Sequence, residues 1–267
     1  GKRPTATCTH SPELGADRLE GESAVEYYIR KHRRRFSRKS ISAVPSLEVF
    51  CANRIGQDFA YYDSEDPATK MMFGFLQPHS LWLISWMASY HKTLLDSNIQ
   101  LLSHPSVKSL VLHGKITDQG LLSLLPKVKQ EAEDLDCWED FDDNSDLPFE
   151  INGCGNLTSL HLQSVFLTRK SIKQLCCSLP TLKDLQIRAS LDPEYGSYLI
   201  FQYMENLAAL ESIDFSFCLW FDDHMLQHIC SSKCFQKLSK ICCHHTSVTS
   251  TVKSELWLQV PHIKILN

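Results

Sequence analysis

The sequence predicts an α/β fold: a stack of strand–turn–helix repeats, with parallel strands on the concave face, helices on the convex face and a helical cap at the N-terminal end. Three observations predict it. The first is a recurring apolar spacing: Val107/Leu110/Leu112, Leu157/Leu160/Leu162, Leu182/Leu185/Ile187, Leu210/Ile213/Phe215 and Leu238/Ile241/Cys243, with a truncated copy at Ile263/Leu266. The second is a helical apolar pattern that follows most copies. The third is leucine usage, since 28 of the 36 leucines fall after residue 100. Glycine is scarce, at 10 of 267 residues, which argues against folds that spend glycines on phosphate loops.

Residues 1–23, rich in Pro, Thr, Ser and Gly, read as a flexible tail. Residues 24–103 supply the cap, with helical patterns at Ala24–Arg35, Pro45–Phe59 and Leu81–Leu95 and an irregular link at Tyr61–Thr69. Residues 104–267 hold the repeats, interrupted by an acidic insertion at 129–152. Third positions of successive copies lie 50, 25, 28 and 28 residues apart, so the first interval contains either two periods or one period plus the insertion. The repeat helices run from Ile116 to Pro126, Leu167 to Pro180, Phe221 to Ile229 and Val248 to Pro261; Thr or Asp opens each, and Pro closes three. One such unit cannot bury its apolar face alone, and stacking makes the core continuous. At the end of the chain, Ile263–Leu266 reads as a last parallel strand.

These residues resemble the leucine-rich repeat, particularly the ribonuclease-inhibitor and F-box-associated types. The resemblance covers about residues 104–267 and implies a solenoid. It departs from the family in lacking most of the asparagine ladder, which bears on the regularity of the loops.

The net charge is −4, so no global basic field draws the chain to nucleic acid or membrane. Eleven cysteines, an odd number, several at apolar repeat positions, fit a reduced intracellular protein of nucleus or cytoplasm. The greasy stretch Met71–Tyr90 is cut by Gln77-Pro78-His79-Ser80 and reads as buried helix, with no membrane partner.

No phosphate-binding glycine motif, HExxH or GxSxG is present, so no catalytic residues, cofactor or small-molecule substrate are expected. The run Asp140–Asp146 fails as a calcium loop, with Ser145 in place of Gly and Ile151 in place of Glu. Cys230, Cys234, Cys242, Cys243, His244 and His245 have zinc-like spacing, but adjacent strand residues face opposite ways, so they read as core thiols. Asn156-Leu157-Thr158 matches a glycosylation triplet, yet Leu157 is a strand anchor and the triplet reads as structural.

Three segments carry candidate partner binding. The basic run Arg30, Lys31, Arg33, Arg34, Arg35, Arg38 and Lys39 reads as a solvated helix end, a nuclear-import or nucleic-acid patch, or a phosphorylation-gated patch. The acidic block 131–150 interleaves Trp138, Phe141 and Phe149 with ten acids; it is either solvated surface or a docking segment for a basic partner, including Arg30–Lys39. Finally, Ser46-Leu47-Glu48-Val49-Phe50-Cys51-Ala52-Asn53-Arg54-Ile55 resembles the elongin-C-binding box of ubiquitin-ligase substrate receptors. Leu47, Cys51 and Ile55 share one helix face, which either enters a partner's apolar groove or plugs the first repeat. Leu76-Gln77-Pro78 resembles the cullin-selecting element of such receptors, except that Gln77 stands where an aliphatic precedes the proline.

The expected function is a non-catalytic protein-interaction module, a substrate receptor linking elongin B/C and a cullin. The alternative is a leucine-rich scaffold or assembly subunit of a stable intracellular, nuclear or cytoplasmic complex. A weaker third reading is a nucleic-acid-associated subunit using Arg30–Lys39. Strand positions that alternate with the anchors form the expected concave docking face: Val111, His161, Asp184, Gln186, Asp214, Lys240 and Cys242, followed by His113, Arg188 and Ser216.

Overall fold

The computed structural model describes residues 22–32, 46–126, 153–165, 167–189 and 202–266. Among the described residues, seven strands form one sheet in strict sequence order, and every neighbouring pair is parallel. They are β1 (Leu94–Leu95), β2 (Ser109–Lys115), β3 (Ser159–Gln163), β4 (Asp184–Arg188), β5 (Ser212–Asp214), β6 (Lys240–Cys242) and β7 (Lys264–Leu266). Parallel neighbours need a crossover connection. Helices supply it as α5 (Asp118–Leu124) and α6 (Arg169–Ser178) after β2 and β3, then α7 (Asp223–Ser231) and α8 (Ser250–Gln259) after β5 and β6.

The repeat anchors stack in register. Leu110, Leu160, Leu185, Ile213 and Ile241 form one hydrogen-bonded column, each at most 1% exposed. The last copy differs from the expected Ile263/Leu266 spacing. Ile265, not Leu266, continues the column, and Leu266 pairs with Cys242. The chain reaches β7 one residue early after the turn at Val260–Ile263, and a one-residue shift turns every strand side chain to the other face.

The expected N-caps at the repeat helices are in place at Thr168, Asp222 and Thr249, whose side chains accept from Ser171, Met225 and Val252 N–H. Thr117 precedes α5 without such a bond. It donates to Asp96 Oδ2 at 2.6 Å, and its N–H donates to Asp96 Oδ1 at 2.8 Å. The device recurs along the stack: Thr168 N–H donates to Asp118, and Thr249 donates both groups to Asp223. Each staple ties the cap of one helix to the repeat before it.

The N-terminal segment comprises α1 (Ala24–His32), α2 (Leu47–Gln57), α3 (Pro67–Gly74) and α4 (Pro78–His91). Helix α3 begins inside the stretch expected to be irregular. Asp66 caps it by accepting from Ala68 and Thr69 N–H, and Pro67 sits at its first turn, where a missing N–H costs nothing. Helix α4 starts three residues before the expected Leu81 for the same reason, with Pro78 at its first turn. It also stops earlier than expected. Lys92 takes φ 56°, and Leu94–Leu95 become β1.

Helix α4 lies along β2 and covers its outer edge. Ser89 Oγ donates to the Val111 carbonyl at 2.7 Å and accepts from His113 N–H at 3.0 Å, while Ser85 Oγ accepts from Val111 N–H. Two serine hydroxyls thus stand in for a neighbouring strand until β1 joins at Gly114 and Lys115. Tyr27 and Tyr28 of α1 pack their rings on Trp86, 5.7 and 5.0 Å away between centroids.

Candidate functional site

Helix α2 has two faces of opposite character. Ser46 accepts from Val49 N–H and starts the helix, so the serine of the box-like segment is a cap. At about 100° per residue, Val49, Ala52 and Gly56 share one side. All three are buried against α4. A Cβ on Gly56 would lie 2.6 Å from Met87 Cβ, so only glycine lets the helices approach this closely. Polar ties fix the helix on both flanks: Ser80 Oγ donates to Glu48 at 2.7 Å, His91 meets Asn53 at 3.0 Å, and Thr93 donates to the Gly56 carbonyl at 2.6 Å.

The opposite side carries the expected triad. Leu47 is 77% exposed, Cys51 is exposed and Ile55, at the margin, is half-buried on the core. Leu47 and Cys51 therefore do not plug the first repeat. Phe50 joins the exposed face, and Arg54 crosses it, paired with Asp58 at 2.9 Å. Helix α3 adds Met71, Met72 and Phe75, which are exposed although the stretch Met71–Tyr90 is expected from the sequence to be buried helix; only its second part, α4, is mostly buried. The missed signal was Asp66-Pro67, a cap and first-turn pair that marks a helix. Once that helix is placed, Phe73 alone turns inward onto Phe59 and Tyr62. Pro78 is accounted for as a helix start, with Gln77 as its cap residue.

The second surface is the sheet face opposite the anchor column. The register sets out three rows: Ser109, Ser159, Asp184, Ser212, Lys240 and Lys264; then Val111, His161, Gln186, Asp214, Cys242 and Leu266; then His113, Gln163 and Arg188. Asp184 is the polar centre. Its Oδ2 accepts from His161 at 2.9 Å, Ser159 at 3.2 Å and Gln186 at 3.4 Å. Burial by itself would raise its pKa, but the hydrogen bond and charge of His161, with Ser159 and Ser212, hold the carboxyl below its ordinary value. Ser159 and Asp184 both meet His161 at Nε2. The ring therefore does not relay between them, and this trio is a hydrogen-bonded surface and not a nucleophile–base–carboxylate chain. Next to it, Arg188 Nε lies 3.1 Å from Asp214 Oδ2, and Asp214 Oδ1 accepts from Ser216 N–H.

Not every expected concave residue is available. Val111 and His113 are buried, because α4 packs along β2 and spends their main-chain groups. Asp214 and Ser216 are buried under the Arg188 pair, and Cys242 is buried beside them. His161, Asp184, Gln186 and Arg188 are half-buried, and Lys240 is exposed.

Of the basic run, Arg30 forks onto Glu22 at 2.8 and 2.9 Å and lies over the Tyr27 ring, and Lys31 approaches the same ring. Both side chains are engaged within the N-terminal segment. Arg33, Arg34, Arg35, Arg38 and Lys39, and the acidic insertion 129–152, lie outside the described residues. Asn156 donates to the Pro105 carbonyl and Thr158 to that of Lys108, so this triplet joins two repeats. Several thiols do the same. Cys154, Cys218 and Cys243 donate to the carbonyls of Leu102, Ile187 and Leu266. Burial keeps Cys230 protonated, pushed up to about 11.

Among the described residues, no helix is long and apolar enough to cross a membrane, and no group of three or more His, Cys, Asp or Glu side chains is placed to hold a metal ion. No protein-family model matches the chain, and no curated protein matches it at a significant level.

Proposed function

We propose that this chain is a non-catalytic leucine-rich-repeat solenoid acting as the substrate receptor of a ubiquitin ligase. Helix α2 docks into elongin C, and the concave sheet face holds the substrate. The solenoid reading is supported by the one-step, all-parallel strand order and by the in-register anchor column. The receptor reading is carried by a single observation. Leu47 and Cys51 stand exposed on a helix whose other face is locked onto α4, an arrangement that leaves an apolar face for a partner.

The test is capture of elongin B/C by the purified chain. Burying a leucine in a groove is worth about 1.5–3 kcal/mol, so Leu47→Ala with Cys51→Ala is expected to weaken capture by about one to three orders of magnitude. The same variant should melt close to wild type, because the deleted atoms leave little cavity. Failure of the wild type to retain elongin would end the receptor reading and leave the chain a repeat scaffold of another complex.

A further inference from the structure

We infer that the concave face takes an extended acidic peptide segment, its carboxylates crossing β4 to β7 over Arg188, Lys240 and Lys264. This rests on the reading of that face as the docking surface and specifies the chemistry of what docks.

The argument is an inventory of donors and acceptors. Among the described residues of the three rows, the carboxylates are Asp184 and Asp214. Asp184 is satisfied by His161, Ser159, Gln186 and Ser212. Asp214 accepts from the Ser216 N–H, is neutralised by the Arg188 guanidinium 3.1 Å away, and is buried. The face has therefore spent its carboxylates internally. Its remaining charges are cationic. Arg188 lies against Asp214 at Nε, with its terminal nitrogens beyond that contact, and Lys240 and Lys264 are exposed with no ion pair to an acid among the described residues. Lys183, by contrast, pairs with Glu211 at 2.9 Å at the sheet's margin.

Register sharpens the point. Lys240 and Lys264 are direct partners across β6 and β7, and like charges in register repel. Lysine on the edge strand β7 has the separate use of blocking sheet-to-sheet pairing. Lys240, one strand in, has no edge to guard, so a counter-charge between the two relieves the repulsion. Strands about 4.8 Å apart put β4 and β7 about 14 Å apart, and Arg188 lies four residues, about 13 Å, along β4 from the row that holds Lys240 and Lys264. The three cations therefore span a diagonal of about 20 Å, the reach of about six residues of extended peptide at about 3.3 Å each. Acids towards one end of such a segment meet the Lys240/Lys264 pair, and acids towards the other end meet Arg188.

Fluorescence anisotropy of the full chain with labelled hexaglutamate tests this, with hexalysine, a Gly-Ser hexapeptide and an oligothymidylate as controls. Hexaglutamate is expected to bind and the controls not to. Raising salt from about 50 to about 500 mM should weaken binding about tenfold or more. Lys240→Glu with Lys264→Glu should abolish it, and Lys240→Ala with Lys264→Ala, a milder change at exposed positions, should weaken it at least about fivefold. Equal binding by these variants, or a preference for hexalysine or the neutral peptide, overturns the inference. Tighter, lysine-dependent binding of the oligothymidylate overturns it in favour of nucleic acid. Selection from a random peptide display library, counter-screened with Gln186→Trp, separates the two levels. Acid-free sequences lost on Gln186→Trp overturn the acidic ligand and keep the docking face; sequences indifferent to it, or none enriched, overturn both.

Discussion

A buried serine hydroxyl holds the open edge of the sheet, and Ser89→Ala measures what that is worth. Ser89 is fully buried, and its oxygen serves two main-chain groups of β2: the Val111 carbonyl and the His113 N–H. Removing one oxygen leaves both groups buried without that partner, while Ser85 still accepts from Val111 N–H. Each orphaned group costs about 1–3 kcal/mol, so the variant should lose about 2–6 kcal/mol. Alanine is a better helix former than serine by a few tenths of a kcal/mol, which barely offsets this. Urea unfolding followed by circular dichroism gives the free energy, and amide hydrogen exchange at Val111 and His113 localises it. Exchange there should accelerate well before exchange at Leu160 and Leu185. Leu47→Ala with Cys51→Ala should stay within about 1 kcal/mol of wild type, since exposed positions tolerate substitution. If Ser89→Ala lies within about 0.5 kcal/mol of wild type and exchange at residues 111 and 113 is unchanged, the hydroxyl pair is not what closes the edge.

Three other outcomes are expected. Gly56→Ala should destabilise the protein by about 1–3 kcal/mol although alanine favours helix, because the new Cβ meets Met87 and the Ala88 backbone; a rise in the urea midpoint would show that α2 yields freely. Asp184 has a lowered pKa in the fold, so its contribution is fully present above the ordinary carboxylate value and is lost as pH falls below it; in Asp184→Asn, the decline in urea midpoint below about pH 4 should flatten, and an unchanged slope would remove Asp184 as its source. In a Cys8→Ser/Cys137→Ser background, a thiol reagent should label Cys51, Cys177 and Cys234 fast, and Cys154, Cys176, Cys218 and Cys243 only on unfolding; mass spectrometry that found Cys176 labelled early would contradict its burial.

The repeat anchors were legible from spacing alone. Val107, Leu157, Leu182, Leu210 and Leu238 all occupy the core, because a period that fixes which face of each strand is apolar also fixes its register. The threonine and aspartate caps were legible too, since capping is a local bond between a side chain and the N–H groups two and three residues on. The leucine, cysteine and isoleucine at i, i+4 and i+8 could be placed on one face of α2, but the pattern reads the same whether that face meets the core or a partner. Only the packing of α4 decided it, by taking the Val49/Ala52/Gly56 side and leaving Leu47 and Cys51 outside. Tertiary structure also decided what alternation could not: which polar strand residues remain available. Val111 and His113 alternate as faithfully as Gln186 and Lys240, yet a helix far from them in sequence order lies along the edge of their strand. Asp214 sinks beneath Arg188 from the neighbouring strand. Periodicity fixes which way a side chain points, because that depends on the backbone of its own strand; what covers it comes from elements 20 or more residues away in sequence.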